Sequence, residues 1–569
     1  MKRGRLHLFL IPLAALIPIL PLLLQGCSCG HDFDFHILNW LEAARQFTHG
    51  TLHPQWAFTP GWNAGEPRFV FYPPISWTLG ALLGLILPWT WTPIAYTWLI
   101  LTGAGLALHR LARSFVGPSA ALIAAVFYLT NPYILFTAYE RTAYAELLAA
   151  IWIPFLFEAI LRERPAIPRL AIPIALLWLS NAPAAVMSCY ALALITVVRL
   201  VLERENRLRL ALTSAAGTAL GLGLAGFYLI PAARERRYVE IDMAVIPGLR
   251  VQDNTLFHDS TAGITDTAAR AEAAFHDAVL HTASTIALIL LAITILALAA
   301  VALKARRKRA EVAAPLSNDR PTESSQSTLY ALAILTATIA ILLTPISLPL
   351  WHHLPELAFL QFPWRLLALL AAAASLATAL ALRTIALKPA VAAAIALALA
   401  AALTYPAYSV FRQTCDPEDT VATRTIQFQT TQGSEPTDEY TPVPADNDVL
   451  AHTNPPYWLS PDPDSAAPTN THPGPAPLDL TVNSPIAQTL ILNLRNYPAW
   501  HISRDHTLIA DRNERADGLI AIPIPAGTSQ IHLTYAQLPD QTIGVILTAL
   551  SLILLITATF WKQNRNTDN

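Results

Sequence analysis

Two aspartates one residue apart, Asp32 and Asp34, directly follow the first apolar segment of the chain, with His31 and His36 beside them. A carboxylate can take a proton from a hydroxyl group as a general base, and paired carboxylates can bind a divalent cation such as Mg²⁺ or Mn²⁺. Carboxylates near a membrane boundary are costly to desolvate, so they tend to face a polar cavity or a partner. We therefore predict that Asp32 and Asp34 are catalytic and that His36 contacts the substrate. The alternative is that the aspartates cap a helix that begins near Phe35.

A second group of charges, Glu140, Arg141 and Glu146, lies in "YERTAYAE" (139–146) between two apolar segments. The guanidinium of an arginine can hold a phosphate through two parallel hydrogen bonds. The pattern therefore predicts an anion site at Arg141 and Glu146, with Glu140 as a further catalytic carboxylate. The alternative is an interfacial ion pair that fixes the turn.

A third group, "FLQFPWRLL", places Arg365 behind the aromatic residues Phe362 and Trp364 at the start of another apolar segment. This arrangement predicts that Trp364 and Arg365 contact a lipid phosphate, although an arginine at this depth also snorkels to the interface without any ligand. The histidines of "FHDST" (257–261) and "FHDAVLH" (275–281) are candidate metal ligands, but their spacing matches no firm metal-binding pattern.

The elements that carry these residues are apolar. Hydrophobic residues make up 54% of the chain and charged residues 13%, and the mean hydropathy is +0.42. Apolar runs of about 17–25 residues, long enough to cross a bilayer core of ~30 Å, recur along the sequence. The chain is therefore predicted to be an all-α polytopic membrane protein in a lipid bilayer. The net charge of −2 indicates no particular partner, and the lack of a basic domain argues against nucleic acid. Four cysteines are too few for a disulfide scaffold.

The positive-inside rule decides the topology at one ambiguous segment, 73–87. If this segment crossed the membrane, the basic loops 109–113, 161–169, 199–209 and 304–309 would all face outward. We therefore predict a juxtamembrane helix at 73–87, a second amphipathic interfacial helix at 35–50, and about twelve spans with both termini in the cytoplasm. The predicted spans are 7–24, 91–113, 118–138, 144–161, 170–180, 183–202, 210–231, 282–303, 329–346, 364–385, 390–405 and 543–561.

This topology predicts four regions that differ in composition and in secondary structure. They are a transmembrane module at 1–405 with outer loops at 25–90 and 232–281, an extracytoplasmic Pro-rich linker at 406–477, a small extracytoplasmic β-sandwich at 478–542 with alternating apolar residues, and a last span with a cytoplasmic tail at 543–569. The polar segment 310–328 is predicted to be a disordered loop. The first apolar segment is predicted to be an uncleaved anchor, the alternative being a signal peptide with lipidation at Cys27.

Several short sequence motifs resemble those of a known family. The D-x-D motif is followed by "THGTLHPQW", "GEPRFVFYPPISWTLGALLG", "ERTAYAE" and "LQFPWRLL". This order is similar to that of the bacterial membrane proteins labelled 6-pyruvoyl-tetrahydropterin-synthase-related. The β-rich end more distantly resembles the YfhO-like proteins, although Ala499 stands between Pro498 and Trp500 where their motif has a glycine. Despite the family label, the sequence shows no residues for pterin chemistry.

Both groups look like relatives of the GT-C glycosyltransferases, which carry an acidic motif and two juxtamembrane helices in the first outer loop. The resemblance implies transfer of a sugar from a polyprenyl phosphate to an envelope glycan, lipid or protein acceptor, on the extracytoplasmic face of the bacterial inner membrane. Those enzymes often have a basic residue just before Pro-Pro, whereas "FVFYPP" has Tyr72 there and only Arg68 upstream. With Tyr72 still expected to contact the substrate, phosphate recognition would fall to Arg68, Arg141 or Arg365.

The resulting hypothesis makes Asp32 the general base for the acceptor hydroxyl, with Asp34 or Glu140 orienting it or binding a divalent cation. Arg141 and Arg365 would stabilise the departing lipid phosphate, and the β-domain would cover the cavity or bind the acceptor. Two alternatives keep the same topology. A flippase or transporter of lipid-linked intermediates would need the arginines but not Asp32, and a non-catalytic envelope scaffold would display the β-domain.

Overall fold

Helices form most of the chain in the computed structural model, which describes residues 3–203, 206–311, 323–468 and 472–567; most of the loop predicted at 310–328 lies outside these ranges. The first ten helices are α1 (Arg3–Gln25), α2 (Phe33–Thr48), α3 (Arg68–Phe71), α4 (Pro74–Ile86), α5 (Thr92–Arg113), α6 (Pro118–Thr130), α7 (Pro132–Tyr139), α8 (Tyr144–Ala149), α9 (Trp152–Leu161) and α10 (Ile167–Ser180). The next ten are α11 (Ala182–Leu202), α12 (Arg207–Leu224), α13 (Gly226–Glu235), α14 (Thr267–Glu311), α15 (Glu323–Leu342), α16 (Leu348–His353), α17 (Leu367–Ala381), α18 (Pro389–Phe411), α19 (Val421–Gln429) and α20 (Pro539–Thr567).

Within the described ranges, nine helical segments are long and apolar enough to cross a membrane, and two bent pairs raise that number to eleven. The chain is therefore a polytopic helical membrane protein, as its composition predicts. The bent pairs are α12 with α13, at 76°, and α15 with the helical turns that end in α16, at 94°. The remaining predicted span, 170–180, corresponds to α10, whose 14 residues cover only about 21 Å.

Asparagine starts two helices within the bundle. The side chain of Asn131 accepts hydrogen bonds from the backbone N–H groups of Tyr133 and Ile134 and so caps α7, which divides the predicted span 118–138. Asn181 caps α11 in the same way by accepting from Ala184, at the break that "SNAP" predicts.

The predicted interfacial helices are both present as helices, but α2 differs from the expectation of a polar face in solvent. Asn39 and Glu42 on that face are each 1% exposed. Glu42 accepts hydrogen bonds from Arg45 and from the backbone and hydroxyl of Thr59. The outer segments around Thr59 and α19 cover this face, so its polar groups pair with protein rather than with water. The second helix, α4, has 13 residues and is too short to span.

The helix α14 is much longer than the predicted span 282–303. Its 45 residues extend for about 68 Å, more than twice the thickness of a hydrocarbon core. Its first turns reach the beginning of α2, where the ring of Phe275 lies 5.8 Å from that of His31. The outer loop predicted at 232–281 therefore ends in helix, and the rest of it contains short 3-10 turns.

Two antiparallel sheets follow α19. The strands are β1 (Tyr457–Ser460), β2 (Asp479–Ser484), β3 (Gln488–Arg495), β4 (Trp500–Arg504), β5 (Thr507–Leu508), β6 (Leu519–Ile524) and β7 (Gly527–Tyr535). One sheet has the order β1-β3-β6 and the other β2-β7-β4-β5. In β7 buried and exposed residues alternate, because one face lies on the core and the other faces solvent. Strand β1 comes from the segment expected to be linker.

The sheets share their core with the first outer loop. Trp56 packs with its ring centroid 5.6 Å from that of Trp500 and 5.7 Å from that of Tyr497. The hydroxyl of Tyr497 also donates to Glu235 at the end of α13 (2.5 Å), and Gln541 at the start of α20 donates to the same carboxylate (3.0 Å). These contacts attach the β-region to the outer ends of the helices.

Candidate functional site

A cavity of about 900 Å³ lies at the end of the helices where α2, the 140–146 turn and the first turns of α14 meet. Segments distant in sequence line it, including the start of α2, the junction of α10 and α11, α13, and the loop before α17. Three residues of the segment predicted to be linker, Thr437, Glu439 and Tyr440, complete the wall. The predicted β-domain cover is therefore supplied by the chain before β1 rather than by the strands.

Asp32 lines this cavity and directly precedes α2. The structure describes every residue of α2, and the Asp32 side chain makes no capping hydrogen bond to it, so the capping interpretation is wrong for this residue. Its backbone N–H donates to the carbonyl oxygen of Arg141 (2.9 Å). Gly30 permits this approach, because a Cβ there would lie 2.2 Å from the carbonyl oxygen of Glu140. The backbone thus fixes the Asp32 carboxylate beside Arg141.

Two arginines share one carboxylate on the adjoining wall. Arg141 donates to Glu146 at 2.6 Å, and Nε of Arg365 lies 3.7 Å from the same Oε2 atom. The hydroxyl of Tyr133 donates to the other oxygen of Glu146. Burial disfavours the charge on Arg141, but Glu146, Tyr133 and Asp32 together outweigh it and raise the pKa of the guanidinium. Apart from Asp32, this wall carries two positive charges and one negative charge.

Aromatic rings hold the arginines in place. The Arg141 guanidinium lies over the Trp364 ring, 4.6 Å from its centroid, and Arg365 lies over Phe362 at 5.0 Å. The rings of Phe362 and Trp364 stack on each other. Cation–π contacts of this kind stabilise a guanidinium while leaving its edge available for hydrogen bonds. Arg365 therefore has partners within the protein and lines the cavity.

The other part of the cavity is rich in aromatic side chains. Tyr72 and Tyr228 line it, and Phe71 stacks on Tyr440 with a centroid distance of 5.7 Å and an interplanar angle of 10°. Glu439 lies beside them, and burial raises the pKa of its carboxyl group. Flat rings next to hydroxyl and carboxyl groups match a ligand with both apolar faces and polar edges.

Asp34 does not share the cavity with Asp32. Its carboxylate is 45% exposed and lies 3.6 Å from Arg424 on α19. Consecutive side chains of a helix point about 100° apart, so Asp34, two residues on, faces away from Asp32. The prediction that Asp32 and Asp34 act as a pair is corrected, because only Asp32 lines the cavity.

Glu140 and His36 also lie outside the cavity wall. Glu140 approaches His31 at 3.9 Å, and burial raises its pKa. His36 is 1% exposed among the rings of Tyr72 and Tyr144, and burial lowers its pKa to about 4. His36 is thus a neutral packing residue behind the cavity, because its position on the inner face of α2 directs it into the protein.

Arg68 is already saturated by protein groups. It donates to Glu66 (2.6 Å), Asn39 (2.9 Å) and Thr437 (2.8 Å), and its side chain is 3% exposed. A guanidinium with these partners has no free edge for a phosphate, so the expectation that Arg68 recognises phosphate is corrected. The residue instead joins the first outer loop to the segment that completes the cavity wall.

The described residues contain no group of three or more His, Cys, Asp or Glu side chains arranged to hold a metal ion. A cation shared by Asp32 and Asp34 does not fit either, because the two carboxylates point to different places. In the outer loop, Asp277 accepts hydrogen bonds from the backbone of Ser260 instead of serving as a ligand.

Residues that the sequence interpretation missed include Tyr133, Glu439 and the cysteine pair Cys29 and Cys415, which form a disulfide. The disulfide connects the start of α2 to the segment after α18. The sequence could have indicated this disulfide, because both cysteines fall in segments predicted to lie outside the membrane, where disulfides persist. Tyr133 carried no such signal, since a tyrosine in an apolar helix usually packs in the core.

The fold and this cavity define a polytopic membrane protein with a charged pocket at one end of its helices. The chain belongs to the family described as "6-pyruvoyl-tetrahydropterin synthase related domain; membrane protein", whose model matches residues 69–412. The family predicted from the sequence motifs is thereby confirmed. No curated protein sequence matches the chain.

Two cryo-EM structures of the arabinofuranosyltransferase AftD from Mycobacteria are similar to the chain. One is 18% identical, with a TM-score of 0.42, over 71% of this chain and 27% of that chain. The other, a mutant, is 17% identical, with a TM-score of 0.43, over 94% and 42%. The chain thus spans less than half the length of either AftD chain, and the likeness is too distant to assign a function.

Proposed function

We propose that this protein is a GT-C-like membrane glycosyltransferase that moves a sugar from a polyprenyl phosphate to an acceptor on the extracytoplasmic face. One observation carries the proposal. A cavity at the outer end of the helices combines Asp32, whose carboxylate does not cap α2, with two arginines, Arg141 and Arg365, that share the Glu146 carboxylate. A base beside a cationic wall is what displacement of a phosphate by a hydroxyl requires.

In the proposed reaction the acceptor hydroxyl oxygen forms a bond to the anomeric carbon of the sugar. The bond from that carbon to the phosphate oxygen breaks, and the polyprenyl phosphate leaves with the electron pair. Asp32 takes the hydroxyl proton. Arg141 and Arg365 stabilise the charge on the departing phosphate, and a preorganised donor of this kind is worth roughly 3 kcal/mol of barrier.

The aromatic part of the cavity suits the sugar or the acceptor. Tyr72, Tyr228 and Tyr440 offer ring faces to the C–H surface of a carbohydrate, and Glu439 can accept hydrogen bonds from its hydroxyl groups. The acceptor is an envelope glycan, lipid or protein that presents a hydroxyl. In this proposal, residues 1–405 form the transmembrane module, the 406–477 segment closes the cavity, and the β-region at 478–542 supports that segment before the last span and tail at 543–569.

The proposed orientation places the cavity outside the bacterial inner membrane and both termini in the cytoplasm. The disulfide between Cys29 and Cys415 lies at the cavity end and suits an oxidising compartment. The basic residues Arg110 and Arg113 end α5 at the opposite side of the bundle, in agreement with the positive-inside rule.

A flippase of lipid-linked intermediates is the second candidate, because the two bent helix pairs resemble the broken helices that line transport pathways. It would use the same cavity and the same arginines. It would not need Asp32 as a base, so the acid separates the two functions.

The deciding experiment measures sugar transfer by the purified protein in lipid nanodiscs with a panel of radiolabelled polyprenyl-phosphate sugars. Wild type is compared with Asp32→Asn and with the matched control Asp34→Asn, which removes the acid that faces Arg424. We expect transfer by wild type and Asp34→Asn, and a loss of about a thousandfold in Asp32→Asn. Equal transfer by Asp32→Asn and wild type would contradict the proposal, and lipid binding without transfer by any of the three would favour the flippase.

A further inference from the structure

A second cavity, of about 200 Å³, lies at the opposite end of the helices from Asp32. It is formed by the ends of α5 and α9 and the beginning of α10. The segment from Glu146, in the first cavity, to Glu158, in the second, covers roughly 18 Å at the rise of an α-helix. The second cavity therefore opens near the other face of the membrane, the cytoplasmic face in the orientation proposed above.

Its rim is cationic. Glu158 is 7% exposed and accepts hydrogen bonds from Arg110 (2.8 Å) and Arg162. A third arginine, Arg169, also lines the cavity, and in the part of the chain that the structure describes its side chain makes no hydrogen bond or ion pair. Three guanidinium groups against one carboxylate leave two positive charges at the mouth of the cavity.

One donor at this rim lacks an acceptor. Nε of Arg162 is buried and has no hydrogen-bond partner among the described residues, which is costly unless a ligand supplies one. The backbone that presents it is fixed, because Arg199 donates to the carbonyl oxygens of Ile160 and Arg162 (2.9 Å to the latter) while it pairs with Glu203. The rim is thus held in place without a bound anion.

The walls of the second cavity are apolar. The side chains of Trp152, Phe155, Ile172, Pro173 and Leu176 line it below the arginines. A free phosphate would leave these walls in contact with water, whereas a molecule with a phosphate and a hydrocarbon chain would cover both surfaces.

We propose that this cavity binds an anionic phospholipid of the cytoplasmic leaflet. The phosphate lies between Arg162 and Arg169, with Arg110 at the edge, and one acyl chain follows the apolar groove between α9 and α10. Basic residues near a membrane surface each attract anionic lipid with about 1 kcal/mol, which is about a fivefold change in affinity. Helix α10 connects the two cavities, because its first half lines the second cavity and Trp178, near its other end, lines the first cavity, which we call the outer cavity.

The test uses the full-length protein in detergent micelles and counts bound lipid by native mass spectrometry. The ligands are short-chain phosphatidylglycerol, phosphatidylcholine with the same acyl chains, and inorganic phosphate. The variants are Arg169→Gln, in the first turn of α10, and a matched control, Arg164→Gln, an exposed arginine of the loop before α10 that does not line the cavity. Both positions are exposed, so the melting temperature of each lipid-free variant should match that of wild type.

We expect phosphatidylglycerol to bind at least fivefold more tightly than phosphatidylcholine. Its affinity should fall about fivefold in Arg169→Gln and stay unchanged in Arg164→Gln. Equal affinity for the two lipids, or equal losses in the two variants, would overturn the proposal. Competition by inorganic phosphate at the same concentration as the lipid would also overturn it, because that result assigns a free-anion site. The readout involves no sugar transfer, so its outcome is independent of the proposed enzymatic function.

Discussion

The two ends of the helix run from α8 to α9 carry the same arrangement of charges with different surroundings. At the end that holds the larger cavity, called the outer end after the proposed orientation, Glu146 is contacted by Arg141 and Arg365. At the opposite, inner end Glu158 is contacted by Arg110 and Arg162. The outer arginine side chains are 6% and 14% exposed, whereas the inner ones are 60% and 33% exposed.

This difference in exposure distinguishes the cavity proposed for catalysis from the cavity proposed for lipid binding. Charges out of contact with water interact strongly, and at the outer end they lie beside Asp32 in a large cavity. At the inner end water screens the same charges, and the cavity is small and apolar. An arginine pair around a glutamate therefore predicts catalysis only where it is buried next to an acid that has no partner of its own.

The largest expected difference between the two ends is in stability. Replacing Glu146 by Gln leaves two buried arginines without their carboxylate and should lower the free energy of unfolding by about 3–5 kcal/mol. Glu158→Gln should cost about 1 kcal/mol or less, because water solvates its arginines. Chemical denaturation in mixed micelles measures both, and equal losses would show that the two clusters do not differ in the way their burial indicates.

The second largest expected difference is in the rate of sugar transfer after an arginine is replaced at either end. We expect Arg365→Gln to lower kcat for sugar transfer by about a hundredfold, since it removes a donor to the departing phosphate. The control Arg110→Gln, in the inner cluster, should stay within about twofold of wild type. Single-turnover transfer from the labelled donor gives these rates, and a loss in Arg110→Gln as large as that in Arg365→Gln would contradict the assignment.

The pH dependence of stability tests the interpretation of His36 as a packing residue. Its pKa falls from 6.5 in the unfolded chain to about 4 in the folded protein because of burial. The folded state therefore binds fewer protons between these values, so stability is complete above pH 6.5 and falls by about 3 kcal/mol as the pH drops toward 4. Denaturation at several pH values should show this loss in wild type, and His36→Phe should lack it while it retains sugar transfer.

The smallest expected effect concerns the aromatic part of the outer cavity. Glu439→Gln should raise KM for the acceptor by about tenfold with kcat nearly unchanged, because it weakens hydrogen bonds that bind the substrate and the transition state equally. Glu435→Gln, an exposed change four residues earlier, is the control and should have no effect. Initial rates at varied acceptor concentration decide this, and a fall in kcat instead would give Glu439 a part in the chemistry.

The positions of Asp32, Arg141, Glu146 and Arg365 could be predicted because charges at the ends of apolar segments are conspicuous and costly. Each of them lines the outer cavity. Some of the errors come from partners that are distant in the sequence. Arg68, for example, finds Thr437 as a partner 369 residues away, and no local pattern contains that contact.

The sequence by itself determined that the chain is a helical membrane protein, which family it belongs to, and where its charges lie near the membrane boundary, because apolar length and composition are local properties. Only the tertiary structure decided which of those charged side chains face the cavity and which pair with another side chain. Asp32 faces the cavity and Asp34 faces Arg424, although they are two residues apart. The direction of a side chain depends on helix phase and on whichever distant atoms come within about 4 Å, and folding alone brings those atoms together.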